Sequence, residues 1–487
     1  MPKESYSLRI YSLQFISRWS LGLALLWLPC CRQLPPAASA KAPSILLVVV
    51  DTLRADRVGH AETPAPHLGR WADGAAVFAN AEATAPFTMP SIASLMTGLY
   101  PDRTGVIAHT AGAGLRIPQG WTLAEAAKAA GLATGAVVAN PWLSRPASGF
   151  SRGFDVFIGN RDGAGLPKHS DARLVTDTAI SLLKQWQDQR FFLWVHYFDP
   201  HMPYRPPAGN AAAVGAPIEV TRVIEDFARP DHDLTRLYSG SNYDREELAA
   251  TRRLYDGEVN YVDEQFERLL QEIETSGRAQ DTIVVVVSDH GESLGEHGLF
   301  FAHDFTVYEE LTHVVLMLRG PSVAPGRREE PVSLIDVSPT LCRLLGLRCH
   351  AATDGSDLLT ESGSSAELTR TVFAAGTPLR ERGARFAGLQ VPGTDGRWSM
   401  VRRGDHKLVE IPTPTGSRFE LYNLRSDPLE LNNRLSDDQQ SQPAQELRAL
   451  LDNWHAEMSR SRPAMPQPDA AATEEDNRTL RSLGYLE

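Results

Sequence analysis

Two unbroken apolar runs organise the chain: SILLVVVDT over 44–52 and TIVVVVSDHGE over 282–292. Each is too short for an ordinary helix and apolar on both alternating faces, as in a strand buried inside a parallel sheet. Between and after them, helical and strand-like patterns alternate. TLAEAAKAAG (122–131) has helix composition and a terminal glycine stop, and ATGAVVAN then reads as a strand ending at Asn140. ARLVTDTAISLLKQWQDQ (172–189) repeats apolar residues at helical spacing before the strand FFLWVHYFDPH, and 245–277 predicts a long helix before the second apolar run. This alternation predicts an α/β fold, a doubly wound, mainly parallel sheet with helices on both faces.

The pattern changes near residue 376. RWSMVRRGDHKLVEI and SRFELYNL predict antiparallel strands joined by PTPTG, and QPAQELRALLDNWHAEMSR predicts a helix after them. The predicted organisation is an export signal over 1–40, a catalytic α/β domain over 41–375, an α+β subdomain with an antiparallel sheet over 376–460, and a tail over 461–487. IDVSPTLCRLLGL (335–347) predicts one more helix, and 205–244, rich in Pro, Gly, Ala and Asp, a long surface excursion.

Ligands of open α/β sheets bind at the carboxyl ends of the strands. Asp51 ends the first apolar run, and Asp289 with His290 ends the second. Two carboxylates and an imidazole meeting at one rim predict a divalent-metal site. The mixed oxygen and nitrogen donors favour Mn²⁺ or Zn²⁺ over an all-oxygen Ca²⁺ site.

Composition narrows the partners. A net charge of −12 over 487 residues argues against nucleic acid, which needs a basic face. Lys3, Arg9 and Arg18, then LGLALLWL (21–28), then Ala38-Ser39-Ala40, have the order of a cleaved export signal. The expected location is therefore periplasmic or extracellular. Cys30 and Cys31 follow the apolar stretch and leave lipid attachment, hence peripheral membrane anchoring, as an alternative. Cys342 and Cys349 are spaced for a small disulfide loop or for two free thiols.

The segment APFTMPSIASLMTGLYP (85–101) supplies a candidate nucleophile. Pro90 suits a first helical turn and Gly98 a stop, so Thr88 falls at the helix start, where free N–H groups and the dipole favour an anion. A threonine hydroxyl needs activation, which metal coordination provides; as a bare sequence feature Thr88 reads first as an N-cap, and the two metal-type strand ends reverse that preference. His201 in DPHMPY follows a strand end, and His201 and His303 are candidates for proton transfer and substrate contact. Asn140 and His109 are candidate pocket residues. With Asp199 and His201, His303 would also suit a second metal site. Glu292 reads as metal-shell support or a helix cap, and Glu296-His297-Gly298 as a structural turn.

The ordered pieces ILLVVVDTLRADRVG, TMPSIASLMTGLYPDRTGV, FFLWVHYFDPHMPYRPP, IVVVVSDHGESLGEHG, VYEELTHVVLMLRGP, IDVSPTLCRLLGL and ELYNLRSDPLE resemble the sulfatase family of the alkaline-phosphatase superfamily. The resemblance implies a doubly wound sheet, a C-terminal four-stranded subdomain and a metal beside a covalent nucleophile. The departures are specific. Sulfatases begin a C/S-x-P-S-R motif with the Cys or Ser that becomes formylglycine; this chain has Thr88 there, and Ile92 at the Arg position, so no formylglycine is expected. Thr52 stands at the second acid of the family's D-D pair. The Lys and His of a GKWHLG-like strand end are replaced by TGAVVANPWL, and the Lys before the YE motif is missing, with His303 nearby. The metal set implied by motif position, as in Thr-dependent members, is Asp51, Thr88, Asp289 and His290; calcium remains possible because sulfatase relatives use it.

The expected function is exported, metal-dependent hydrolysis of sulfate-type or phosphate-type esters of small molecules, glycans or lipids through Thr88. Phosphate chemistry is favoured, because a threonine sulfate ester lacks the aldehyde's elimination route. The alternatives are a phospho-alcohol head-group transferase and a non-catalytic binder of anions or glycans.

Overall fold

The computed structural model describes residues 43–463, apart from 60–62, 109–113, 119, 160–170, 230–233, 348–351, 361–369, 378–395 and 436–440. The two apolar runs form β1 (Ser44–Val50) and, later, β6 (Thr282–Ser288). Between them come β2 (Ala76–Glu82), β3 (Ala133–Val138), β4 (Val156–Gly159) and β5 (Phe191–Tyr197). A short hairpin of β7 (Ser293–Leu294) and β8 (Phe300–Ala302) follows, then β9 (His313–Val314), β10 (Leu316–Arg319) and β11 (Gly326–Ser333).

These strands build a nine-stranded sheet in the order β11-β2-β10-β6-β1-β5-β3-β4, with β9 paired to β2. β1 lies parallel between β5 and β6, in register from Ile45 opposite Phe192 and Ile283. Its residues alternate between two cores: Leu46, Val48 and Val50 pack on one face, and Ile45, Leu47 and Val49 on the other. Each such side chain contributes roughly 1.5–3 kcal/mol of burial, so register is strongly specified and the strand ends are held in place. The sheet departs from purely parallel at β10, which runs antiparallel to both β6 and β2. Its link from β6 carries only short elements, which do not return the chain to the opposite edge as a parallel crossover requires.

Helices cover both faces. Thr122 and Glu125 close a capping box at the helix Leu123–Ala129, and Asp244 and Glu247 do the same for Arg245–Thr275. The excursion over 205–244 is not a bare surface loop. It folds into the short helices Ala208–Ala213, Arg222–Phe227 and Leu234–Ser239, and fully buries Val223 and Ile224. Among the described residues no helix is long and apolar enough to cross a membrane. Cys342 is disulfide-bonded; Cys349 and the N-terminal segment carrying Cys30 and Cys31 lie outside the described residues.

A four-stranded antiparallel sheet follows: β12 (Thr371–Ala375), β13 (Ser399–Arg403), β14 (His406–Thr413) and β15 (Gly416–Asn423). Its first strand precedes the expected boundary at 376, because β12 pairs with β13 along its whole length. One face packs on the helix Gln442–Ser461 through Leu447, Leu451 and Trp454, and the other joins the main core through Met400, Val409 and Ile411. The junction is also ionic. Lys407, fully buried, places its Nζ 2.7 Å from Glu309 Oε1 and 3.1 Å from Glu430 Oε1. Removing one partner of a buried ion pair leaves uncompensated charge. Lys407→Ala should therefore lower the unfolding free energy by about 3–5 kcal/mol, measured by urea denaturation.

Candidate active site

Every element of the site hangs from a strand end or a helix start. Asp51 and Thr52 follow β1, Asn140 follows β3, His201 follows β5, and Asp289 and His290 follow β6. Thr88 is the first residue of the helix Thr88–Thr97, whose ten residues are all buried and which stops at Gly98 in the left-handed region, φ 72°. That helix is tied to β6's end, since Ser91 Oγ donates to the Asp289 carbonyl at 2.5 Å. Gly291 is required where it stands: a Cβ there would meet the Glu310 carbonyl oxygen at 2.0 Å.

The four residues predicted around a cation do meet. His290 Nε2 lies 3.5 Å from Asp51 Oδ1, 3.6 Å from Asp289 Oδ2 and 3.4 Å from Thr88 Oγ1. The edge of a tetrahedron with bonds of ~2.1 Å is about 3.4 Å, so these separations suit one small cation. Asp51 Oδ1 and Asp289 Oδ2 are buried with no hydrogen-bond partner. Their other oxygens are engaged: Asn140 Nδ2 donates to Asp51 Oδ2 at 2.8 Å, and the His290 and Thr52 amides donate to Asp289 Oδ1 at 2.9 and 3.3 Å. His290 Nδ1 is 2.9 Å from the Gly291 carbonyl, which only accepts, so the ring proton sits on Nδ1 and the Nε2 lone pair faces the carboxylates. The donor set fits a divalent cation.

The Thr88 hydroxyl makes no cap bond to its own helix, which is capped by Phe87 without a side-chain bond. It faces His290 and, at 3.5 Å, Asn140 Nδ2. The capping alternative is thereby set aside in favour of a hydroxyl aimed at the donor cluster.

Burial dominates the electrostatics. It holds the Asp51 carboxyl far above the usual carboxylate range, reinforced by Asp289, and pushes Asp289 up to about 7. It holds His290 and His201 well below the usual imidazole value, each helped by His303, and pushes His196 down to about 3.

The remaining predicted residues divide. Asn140 enters the site through its bonds to Asp51 and Thr88. The His303 ring lies 4.7 Å from that of His290 and 4.9 Å from that of His201, so the three imidazoles form a contiguous group. Asp199 does not join them. Its carboxylate accepts from the Ala172 amide at 2.7 Å, at the start of a helix, and burial pushes it up to about 7. The suggested second site on Asp199, His201 and His303 therefore lacks its carboxylate. His109 lies outside the described residues. Glu292 caps no helix; it bonds His303 and Tyr204. Glu296–His297–Gly298 is a 3-10 turn with His297 at φ 50°. Sequence reasoning passed over Tyr204 and Ser91. Tyr204 stands inside the quoted DPHMPY motif, so its place beside His201 was a usable signal. It read His196 as simply buried; the ring is fully buried 3.9 Å from Asp51.

An Asp/His donor cluster and a helix-start hydroxyl thus meet at the carboxyl rim of the sheet, where ligands of open α/β sheets bind. The chain belongs to the sulfatase family, whose family model, Sulfatase, matches residues 43–347. The choline-sulfatase of Rhizobium meliloti (strain 1021) is 27% identical over 442 residues, covering 80% of this chain and 82% of that protein. The multifunctional alkaline phosphatase superfamily protein PehA of Trinickia caryophylli is 29% identical over 214 residues, 40% of this chain and 42% of that protein. In fold, the chain is similar to BT4656, solved in complex with its substrate D-glucosamine-2-N,6-O-disulfate. That likeness has a TM-score of 0.69 at 20% identity and covers 86% of this chain and 99% of that one. The phosphonate monoester hydrolase of Agrobacterium radiobacter matches with a TM-score of 0.64 at 22% identity, over 85% and 96%. The protein is thus a sulfatase-family ester hydrolase, and the family's divalent metal has a matching cluster in Asp51, Asp289 and His290.

Because cation binding needs both carboxylates ionised, and burial holds both protonated to unusually high pH, uptake should release protons and tighten as pH rises through about 7. Titration calorimetry with Zn²⁺ or Mn²⁺ in two buffers of different ionisation enthalpy measures that release; affinity independent of pH between 6 and 8 would contradict it.

Proposed function

We propose that the protein is an exported, metal-dependent hydrolase of sulfate-type or phosphate-type esters with Thr88 as covalent nucleophile, phosphate-type chemistry being favoured. The observation that carries this reading is the Thr88 hydroxyl, 3.4 Å from the His290 nitrogen that two unpartnered carboxylate oxygens also face. Asp51, Asp289 and His290 would hold a divalent cation, Mn²⁺ or Zn²⁺ given the imidazole donor and Ca²⁺ by family precedent, which would supply the charge that lets the Thr88 hydroxyl lose its proton to solvent near neutral pH.

Thr88 Oγ1 attacks the central phosphorus or sulfur in line with the ester oxygen, forming one bond as the ester bond breaks. Asn140 holds Asp51 in place and lies within reach of the hydroxyl. The departing oxygen takes the Nε2 proton of a doubly protonated His303, and the neutral ring's Nε2 recovers one from the water that then cleaves the Thr88 ester. His201 is the weaker acid candidate: its Nδ1 proton is directed at the Met202 carbonyl at 2.7 Å, and burial opposes a second proton. Its Nε2 suits accepting from a substrate hydroxyl or the attacking water. Names of the relatives support both ester types, since they include a choline-sulfatase and a phosphonate monoester hydrolase.

Aryl phosphate mono- and diesters, an aryl phosphonate ester and an aryl sulfate, assayed side by side, should give greater phosphate-type than sulfate turnover; dominant sulfate hydrolysis would overturn that preference. Thr88→Ala should lower kcat by at least about 10³-fold and Thr88→Ser should retain part of it. Export is supported by the basic and apolar order of residues 1–40. The mature N-terminus read by mass spectrometry should begin after Ala40.

A further inference from the structure

Glu292 is fully buried, and both its carboxylate oxygens are committed. Oε1 lies 3.0 Å from His303 Nδ1, and Oε2 accepts the Tyr204 hydroxyl at 3.1 Å. The Glu292 carbonyl accepts Arg54 Nη1 at 3.0 Å, and the preceding Gly291 is pressed against the Glu310 carbonyl, so the backbone carrying this carboxylate has little freedom. Tyr204 is equally fixed, its ring edge-on to Tyr255 at 5.5 Å and to Phe301 at 5.9 Å. The His303 ring is thus clamped at one nitrogen by a rigid acceptor, and it packs beside the rings of His201 and His290. A carboxylate offers only acceptors here, because the Tyr204 hydroxyl already supplies its proton to Oε2; Nδ1 must carry the hydrogen in the bond to Oε1.

We propose that Glu292, braced by Tyr204, is the positioning residue that sets the tautomer and ring orientation of His303, presenting Nε2 to the ester group. This rests on the reading of the site given under the proposed function and assigns a residue that reading leaves unused. Glu292 acts through His303: among the described residues its carboxylate bonds only His303 and Tyr204. Without it the imidazole can rotate by a half-turn or exchange tautomers, either of which removes Nε2 from its station.

The test is a double-mutant cycle on the full-length, metal-loaded protein with the best-turned-over aryl ester. Glu292→Ala should lower kcat by about 10–100-fold with KM changed only a few-fold. Glu292→Gln, which keeps an acceptor, should recover part of the loss, and Tyr204→Phe should show a smaller loss of the same kind. In a His303→Ala background, Glu292→Ala should change kcat by less than about twofold, because residues acting as a unit are not additive. Two readouts do not depend on turnover. Metal content should stay the same in Glu292→Ala, and the ¹⁵N-resolved Nδ1–H signal of His303, assigned by its loss in His303→Ala, should shift or vanish. Additive losses, metal loss in Glu292→Ala, or an unmoved His303 signal would each overturn the proposal. Thr88→Ala run alongside separates the two readings: full activity there removes the nucleophile assignment, whereas additive losses with an inactive Thr88→Ala remove the Glu292 assignment alone.

Discussion

Two carboxylates sealed beneath the rim of a sheet, each with an oxygen that nothing in the described protein satisfies, are the constraint on which the rest depends. Asp51 and Asp289 are fully buried, burial raises the proton affinity of both, and Asp289 raises that of Asp51 further. Such an arrangement is costly unless protons or a cation neutralise it. The surroundings are arranged to keep the two unsatisfied oxygens facing inward. Asn140, Thr52 and the His290 amide hold the opposite oxygens, and Ser91 ties the nucleophile helix to the same strand end.

The sheet makes this constraint affordable in structural terms. β1 and β6 are neighbours with residues Ser44 to Val50 in step with Thr282 to Ser288, so the acidic residues that follow both strands emerge at one level. Because both faces of β1 are packed, a slip by one residue would exchange its two cores and carry Asp51 out of step with Asp289 on β6.

Much of this was readable from the chain. Continuous Val/Ile/Leu runs ending in Asp or Asp-His announce interior strands and ligand positions at once, since few other contexts put acids beside such runs. Helices with capping residues and clear periodicity, such as the one opening at Asp244, were equally plain. What the chain did not reveal depends on non-local partners. The antiparallel sense of β10 is decided by a connection that carries only short elements, not by its own residues. Asp199 sits two residues from His201 yet turns to a helix start, because both stand in the turn after β5, where strand alternation no longer sets side-chain direction. Glu292 acquires its meaning only from Tyr204 and His303, the former 88 positions away.

The helix that begins at Thr88 has no wettable side, and Asp51, Asp289 and His290 are likewise sealed, while His201 and His303 retain 5% and 9% exposure. Traffic into the reaction centre therefore has a direction. On the proposed reading, an oxyacid group meets the two imidazoles before it meets the sealed carboxylates.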